Sequence, residues 1–266
     1  MPGLPDLPLS GPFLAPLRQP RLLIAAALAG LVGLSWLYLA GLARDMAAMD
    51  PDMAMPLMGA RDLVLLLAMW CVMMVGMMLP SAAPMILTFA SINQRRRQRG
   101  QPYVPTALFT AGYLAAWAAF SIAATLAQWG LERLALLAPM AMKTTSPVLA
   151  GGLLVAAGLY QLTPLKQVCL THCRSPFDFL LNRWLDGAGG AWRMGWSHGL
   201  YCLGCCWILM ALLFVVGAMD LLWVAGFAAL VLVEKLLSAG LWIARVSGVA
   251  LMAWGVWVLS VGQTTP

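Results

Sequence analysis

The sequence is poor in charge. Only 10% of its 266 residues are Asp, Glu, Lys or Arg, whereas 62% are hydrophobic and the mean hydropathy is +0.85. A soluble globular domain has about 25% charged residues and about 45–50% apolar residues. This composition therefore excludes an ordinary soluble domain and predicts an integral membrane protein that lies in contact with the lipid bilayer.

Histidine and acidic residues are scarce as well. The chain has two histidines and ten Asp and Glu residues, so it has few residues for a di-iron centre of carboxylates and histidines. The one dense basic run, RRRQR at 95–99, adjoins an apolar span and is accompanied by no nucleic-acid recognition motif. We therefore expect no nucleic-acid partner and interpret the run as a cytoplasmic loop.

Long apolar runs divide the chain into about seven predicted spans, each near the length that crosses a bilayer. They lie at residues 22–43, 62–89, 104–128, 146–165, 190–216, 220–237 and 240–261. Pro80 and Pro84 predict a kink in the second span because proline removes backbone donors. The predicted fold class is an all-α membrane protein, a bundle of about seven transmembrane helices with a kinked second span. A short inner-surface helix is expected at 175–181.

The domain organisation and orientation follow from proline and arginine. Six prolines in residues 1–20 predict a disordered Pro-rich N-terminal arm, and residues 21–263 are expected to form a single polytopic transmembrane domain. Counting spans from the arginine run places the N-terminus and residues 166–193 in the cytoplasm. The expected location is the bacterial inner membrane.

Sulfur and imidazole donors are concentrated in two segments on that cytoplasmic side. One group shares a face of the fifth span, within about 100° of arc, and consists of His198, Cys202, Cys205 and Cys206. The other is predicted in the preceding loop and consists of Cys169, His172 and Cys173. One helix presents donors from one side only, so a closed site needs both groups. Such soft donors favour Cu(I), with zinc as the alternative metal.

Methionines precede these cysteines along the chain. The second span has two pairs with the spacing of one helical turn, Met73 with Met77 and Met74 with Met78. This spacing resembles the MxxxM motif of eukaryotic high-affinity copper transporters. Further methionines, in a loop predicted to face outwards, are Met46, Met49 and Met53. Thioethers bind Cu(I) even where thiols would oxidise, although plain packing is the competing interpretation.

Two adjacent charges lie inside the sixth span. Glu234 and Lys235 are candidate functional ionisable residues because charge within a span is costly, and an ion pair is the structural alternative.

Three segments also have a familiar pattern: WCVMMVGMMLPSAAP at 70–84, GCCW at 204–207 followed by Met210, and the Glu-Lys pair at 234–235. Together they resemble the shared motifs of a bacterial family of predicted metal-binding integral membrane proteins of unknown function, over about residues 69–254. The resemblance implies a multi-helix inner-membrane protein. It also implies a metal-related role for the matching Met74, Met77, Met78, Cys205, Cys206 and Glu234.

The leading hypothesis is an inner-membrane metal-handling protein that binds Cu(I) through Met and Cys/His sites. It would move the ion or relay it to a membrane cuproprotein or another membrane complex. One alternative is a membrane thiol or metal-dependent oxidoreductase, so enzymatic activity stays open, and no catalytic residue is assigned. The other is a non-catalytic assembly subunit of a membrane complex. A homo-oligomer is compatible with each hypothesis.

Overall fold

The computed structural model describes residues 20–48, 59–138 and 142–262, and these ranges are almost entirely helical. The helices are α1 (Pro20–Ala47), α2 (Ala60–Gln98), α3 (Thr106–Arg133), α4 (Pro147–Leu162), α5 (Pro164–Arg174), α6 (Pro176–Asn182), α7 (Gly187–Ala211), α8 (Leu213–Val216), α9 (Leu221–Leu236) and α10 (Gly240–Gly262). Two short strands, β1 (Leu137–Ala138) and β2 (Lys143–Thr144), pair antiparallel. The predicted N-terminal arm lies outside the described residues except for Pro20.

Within the described ranges, five helical segments are long and apolar enough to cross a membrane: those in α1, α2, α3 and α10, and the run through α7 and α8. A sixth crossing results if α4 and α5, which meet at a bend of 64°, form one span. The predicted sixth span corresponds to α9, which has 16 residues. The all-α class is confirmed, whereas length and composition support five or six crossings rather than seven.

Helix α2 forms the centre of the core. Its 39 residues correspond to about 58 Å of helix, so it exceeds a hydrocarbon core of about 30 Å. It continues without a break through Pro80 and Pro84. Its most buried face consists of Trp70, Met73, Met74, Met77 and Met78, each 0–1% exposed. The methionine pairs predicted from spacing are therefore interior residues.

Glycines set the closest helix contacts. A Cβ atom on Gly195 of α7 would collide with the backbone of Phe109 on α3, and one on Gly199 would lie 2.6 Å from the Ala116 side chain. Gly158 of α4 is equally close to α10, because a Cβ there would lie 2.5 Å from the Met252 side chain. Small residues at these positions let helix backbones approach each other.

Arginines gather at one end of the bundle. Arg96, near the end of α2, lies 2.5 Å from Asp186, the residue preceding α7, and 4.9 Å above the Trp184 ring. Arg174, the last residue of α5, donates a 2.5 Å hydrogen bond to the carbonyl of Leu237, just after α9. This arginine-rich end therefore joins the last turn of α2, α5, the start of α7 and the end of α9.

Two local predictions have definite outcomes. The short helix predicted at 175–181 is present as α6. The segment with Cys169 and Cys173, predicted as a loop, is instead helix α5. Thr163 caps this helix by accepting a hydrogen bond from the Lys166 N–H, and Pro164 occupies its first turn. Both are favourable at a helix start, which is why the chain folds into a helix here.

Candidate functional site

The candidate site centres on Cys202, which is 1% exposed. Its Sγ accepts a 2.8 Å hydrogen bond from Lys235 Nζ of α9 and lies 3.1 Å from the Tyr113 hydroxyl of α3. Lys235 also donates a 3.1 Å hydrogen bond to Ser81 of α2. The lysine ammonium offsets the negative charge of a thiolate, the form in which cysteine binds a metal. Side chains of α3 and α9 thus contact the α7 sulfur directly, and α2 joins them through Ser81 and Lys235.

Methionine and cysteine sulfur meet beside this centre. Cys206 Sγ lies 3.9 Å from Met78 Sδ, and both residues are fully buried. Cys205 and Cys206 each also donate a 3.0 Å hydrogen bond to the Cys202 carbonyl, which fixes both thiols against the helix. The methionine face of α2 and the cysteine face of α7 are therefore in direct contact.

Helix α5 covers the α7 cysteines. Cys173 of α5 lies on the side of this helix that faces Cys202 and Cys205 of α7. Cys169 lies over Gly204, where a Cβ atom would lie 2.8 Å from the Cys169 Sγ. The Gly204 carbonyl accepts a hydrogen bond from the Tyr160 hydroxyl of α4. The structure thus brings sulfur atoms from the two predicted groups together, as a site closed by two elements requires.

The two histidines have different surroundings. His198 is 2% exposed and packs against the rings of Tyr113, at 5.7 Å, and Phe179, at 5.6 Å. Its Nδ1 has no hydrogen-bond partner among the described residues. His172 stacks on Tyr201 at 4.6 Å, and its Nδ1 lies 2.9 Å from the Val168 carbonyl. It lines a cavity of about 280 Å³ that no cysteine lines, so the structure does not place it with the thiols.

Glu234 and Lys235 have separate partners rather than each other. Glu234 forms a buried ion pair of 2.7 Å with Lys166 at the start of α5. Gln161 of α4 links the pair to α10, because it hydrogen-bonds with Lys166 and donates to Glu234 at 3.0 Å and to Ser247 at 2.9 Å. Hydrogen bonds from neighbouring helices reduce the cost of burying these charges. The network attaches α5 to α4, α9 and α10.

The structure describes one of the three predicted outer methionines. Met46 is half-buried near the end of α1, and Met49 and Met53 lie outside the described residues. Sequence reasoning also missed Lys166, Ser81, Tyr113 and Gln161. Lys166 had a usable signal, because it lies three residues before Cys169 on a segment with Thr-Pro at its start, a pattern typical of a helix N-terminus.

No group of three or more His, Cys, Asp or Glu side chains in the described residues has the arrangement of a metal site. The Cys205 and Cys206 thiols form hydrogen bonds to the Cys202 carbonyl. The nearest additional soft donor is the Met78 thioether, beside Cys206. The donor set fits Cu(I), which thiolate and thioether sulfur select, better than zinc, which usually takes four ligands.

In a comparison with protein families, residues 67–258 match the PpoB2 family, which is described as a copper chaperone. The chain belongs to this copper chaperone family. The match begins within α2 and ends within α10, and it contains all six cysteines and the methionine pairs of α2. The family that the three motifs resemble has no known function, whereas this family is described by its role in copper handling. Searches of curated proteins and of solved structures give no match.

Proposed function

We propose that the protein is a membrane-embedded chaperone that binds Cu(I) as its cargo and passes it between thioether and thiolate ligands. The contact of 3.9 Å between Cys206 Sγ and Met78 Sδ carries this proposal. Both sulfurs are soft donors, and both are buried away from water and oxidants. Membership in the copper chaperone family supports the same cargo.

The proposed route follows the buried donors. Met46 and the neighbouring outer loop collect Cu(I), and the two methionine pairs of α2, Met73 with Met77 and Met74 with Met78, pass it into the bundle. Cys206, Cys202 and Cys173 then receive it near the arginine-rich end. Positive charge at that end supports a cytoplasmic location for it and for the N-terminus, in a bacterial inner membrane. The recipient is a membrane cuproprotein or another membrane complex, and a homo-oligomer is compatible with this role.

Anaerobic Cu(I) titration of the purified full-length protein in detergent tests the proposal. The double variant Cys205→Ser/Cys206→Ser should lower Cu(I) affinity about tenfold or more, because it removes soft ligands. Cys71→Ser is the control, since Cys71 is a half-buried cysteine of α2 and not a proposed ligand. Equal affinity and stoichiometry in the double variant and the wild-type protein would contradict the proposal.

Thiol exchange is the second candidate function. It is favoured by the proximity of Cys173 to Cys202 and Cys205. One thiolate can attack a substrate disulfide and release one substrate thiol, and a neighbouring thiolate can then resolve the mixed disulfide and release the other. Acid trapping of thiols in intact cells separates the two functions. A mixed disulfide at Cys205 or Cys206 supports an oxidoreductase, whereas fully reduced cysteines support copper relay.

A further inference from the structure

The donor series on α7 extends past the cysteines towards the arginine-rich end. Met194, His198, Cys202 and Cys206 follow one another at intervals of four residues, so neighbours lie about 6 Å apart along the helix axis. All four are 0–2% exposed. Met194 belongs to none of the motifs above, yet it supplies the next thioether after His198.

A cavity of about 470 Å³ reaches Met194 from the protein surface. The exposed side chains of Arg183 and Arg193 line it, and Met194 and Phe179 also form part of its wall. Phe179 packs edge-on against His198 at 5.6 Å, so one ring both lines the cavity and contacts the histidine. The cavity, Met194 and His198 are therefore consecutive positions on a path to Cys202.

His198 has an available ligand atom on this path. Its Nδ1 is buried and has no hydrogen-bond partner among the residues that the structure describes. Buried polar atoms are normally paired, so an orphaned imidazole nitrogen requires an explanation. Met194 Sδ accepts one weak hydrogen bond of 3.4 Å from the Leu185 N–H, which a metal ion could replace. Imidazole and thioether groups are both ligands for Cu(I).

We infer that Met194 and His198 form a transfer site for Cu(I) between the cysteine cluster and the cavity. This inference rests on the proposed function and gives the cysteine-bound ion a path to the arginine-rich end. Each step exchanges one ligand for another without a change in oxidation state. The Cys202 sulfur–copper bond breaks as the His198 nitrogen–copper bond forms, and the Met194 sulfur then replaces the imidazole.

The arginines at the cavity mouth limit the chemical form in which copper can leave the protein. Arg183 and Arg193 repel a free monovalent cation, so the ion crosses this mouth bound to anionic ligands of its carrier. An anionic chelator is therefore a suitable chemical probe of the path.

The test measures copper release from full-length protein in nanodiscs, loaded anaerobically with a single equivalent of Cu(I). Stopped-flow mixing with bathocuproine disulfonate follows the release. Met194→Leu keeps the side-chain size but removes the thioether, and it should slow release about tenfold at unchanged Cu(I) stoichiometry. Met194→Cys restores a sulfur ligand and should recover most of the rate.

Two further variants complete the test. His198→Gln should slow release as Met194→Leu does, whereas Met252→Leu, on α10, should release copper at the wild-type rate. Wild-type rates in both Met194→Leu and His198→Gln would overturn the transfer site while leaving the cysteine site intact. Failure of the wild-type protein to bind Cu(I) would instead overturn the proposed function itself.

Discussion

Individual buried side chains determine whether this bundle can hold a soft metal ion. Cys202 is surrounded by Lys235, Tyr113 and neighbouring thiols rather than by apolar groups alone. The buried Lys166–Glu234 pair provides a second polar centre that anchors α5. Since buried charges are costly unless paired, both centres constrain how the helices pack. Their contributions can be separated by substitution.

Loss of Glu234 should destabilise the protein strongly. Glu234→Ala leaves the Lys166 ammonium buried without its carboxylate, which typically costs about 3–5 kcal/mol, and thermal unfolding in detergent measures the loss. Lys166→Met/Glu234→Leu removes both charges and should recover most of the stability. Asp186→Asn, at the exposed pair with Arg96, should cost less than about 1 kcal/mol. Equal melting temperatures for Glu234→Ala and Asp186→Asn would contradict the stabilising role of the buried Lys166–Glu234 pair.

The Met78 thioether should affect copper binding more than folding. Met78→Leu preserves the side-chain volume, so its stability cost should stay below about 1.5 kcal/mol. It removes the sulfur beside Cys206 and should lower Cu(I) affinity about tenfold. Competition titration with a Cu(I) chelator measures this. Met69 is another buried methionine of α2, so Met69→Leu is the control. An equal loss of Cu(I) affinity in Met69→Leu would contradict a specific role of Met78 in binding.

Among the helices, α5 and the α3–α7 pair position the site. Helix α5 carries Cys173 to the α7 thiols and is tethered at both ends, by Lys166 to Glu234 and by Arg174 to the carbonyl of Leu237. Helices α3 and α7 approach closely at Gly195, which brings Tyr113 of α3 to Cys202 of α7. The spacing between these helices therefore controls the contacts of the central sulfur.

A methyl group at Gly195 should separate α3 from α7. Gly195→Ala places a Cβ against the Phe109 backbone, which cannot move away easily, and overpacking of this kind costs about 1–3 kcal/mol. Gly189→Ala on the same helix has no atom within 4 Å of the new Cβ and should be neutral or slightly stabilising. Thermal unfolding distinguishes them. A neutral Gly195→Ala would show that this contact does not constrain the pair.

At the scale of the whole molecule, arginine side chains are concentrated at one end of the helix bundle. The arginines near the end of α2 lie at the same end as α5, α6 and the start of α7, as the Arg96–Asp186 pair shows. Helix α3 leads from this end to the short sheet of β1 and β2. The arrangement supports a defined orientation, because basic loops stay in the cytoplasm.

Labelling of introduced cysteines tests this orientation. Arg99→Cys should react with a membrane-impermeant thiol reagent in inside-out vesicles, and Lys143→Cys on β2 should react in spheroplasts. Both residues are exposed, whereas Cys202, Cys205 and Cys206 are at most 1% exposed and should contribute little background. The wild-type protein is the control in each preparation. Reaction of both variants from the same side would contradict the proposed topology.

The sequence by itself determined the all-α class, because long apolar runs without charge can satisfy their backbone groups in a bilayer only as helices. It also singled out the sulfur donors, since Cys and Met at helical spacing are visible without coordinates. The methionine pairs on α2 were predicted at the spacing of one helical turn, and the cysteines on α7 were predicted to share one helix face. Gly195 and Gly199 on α7 also have the GxxxG spacing that is typical of a close helix contact.

Only the tertiary structure decided which donors meet. The segment predicted as a loop is helix α5, and this helix brings Cys173 near the α7 thiols. His172 on the same helix stacks on Tyr201 instead. It also paired Glu234 with Lys166, 68 residues away, rather than with its neighbour Lys235. Helical periodicity fixes the face of a residue on its own helix, but the partner of that face depends on how distant helices pack.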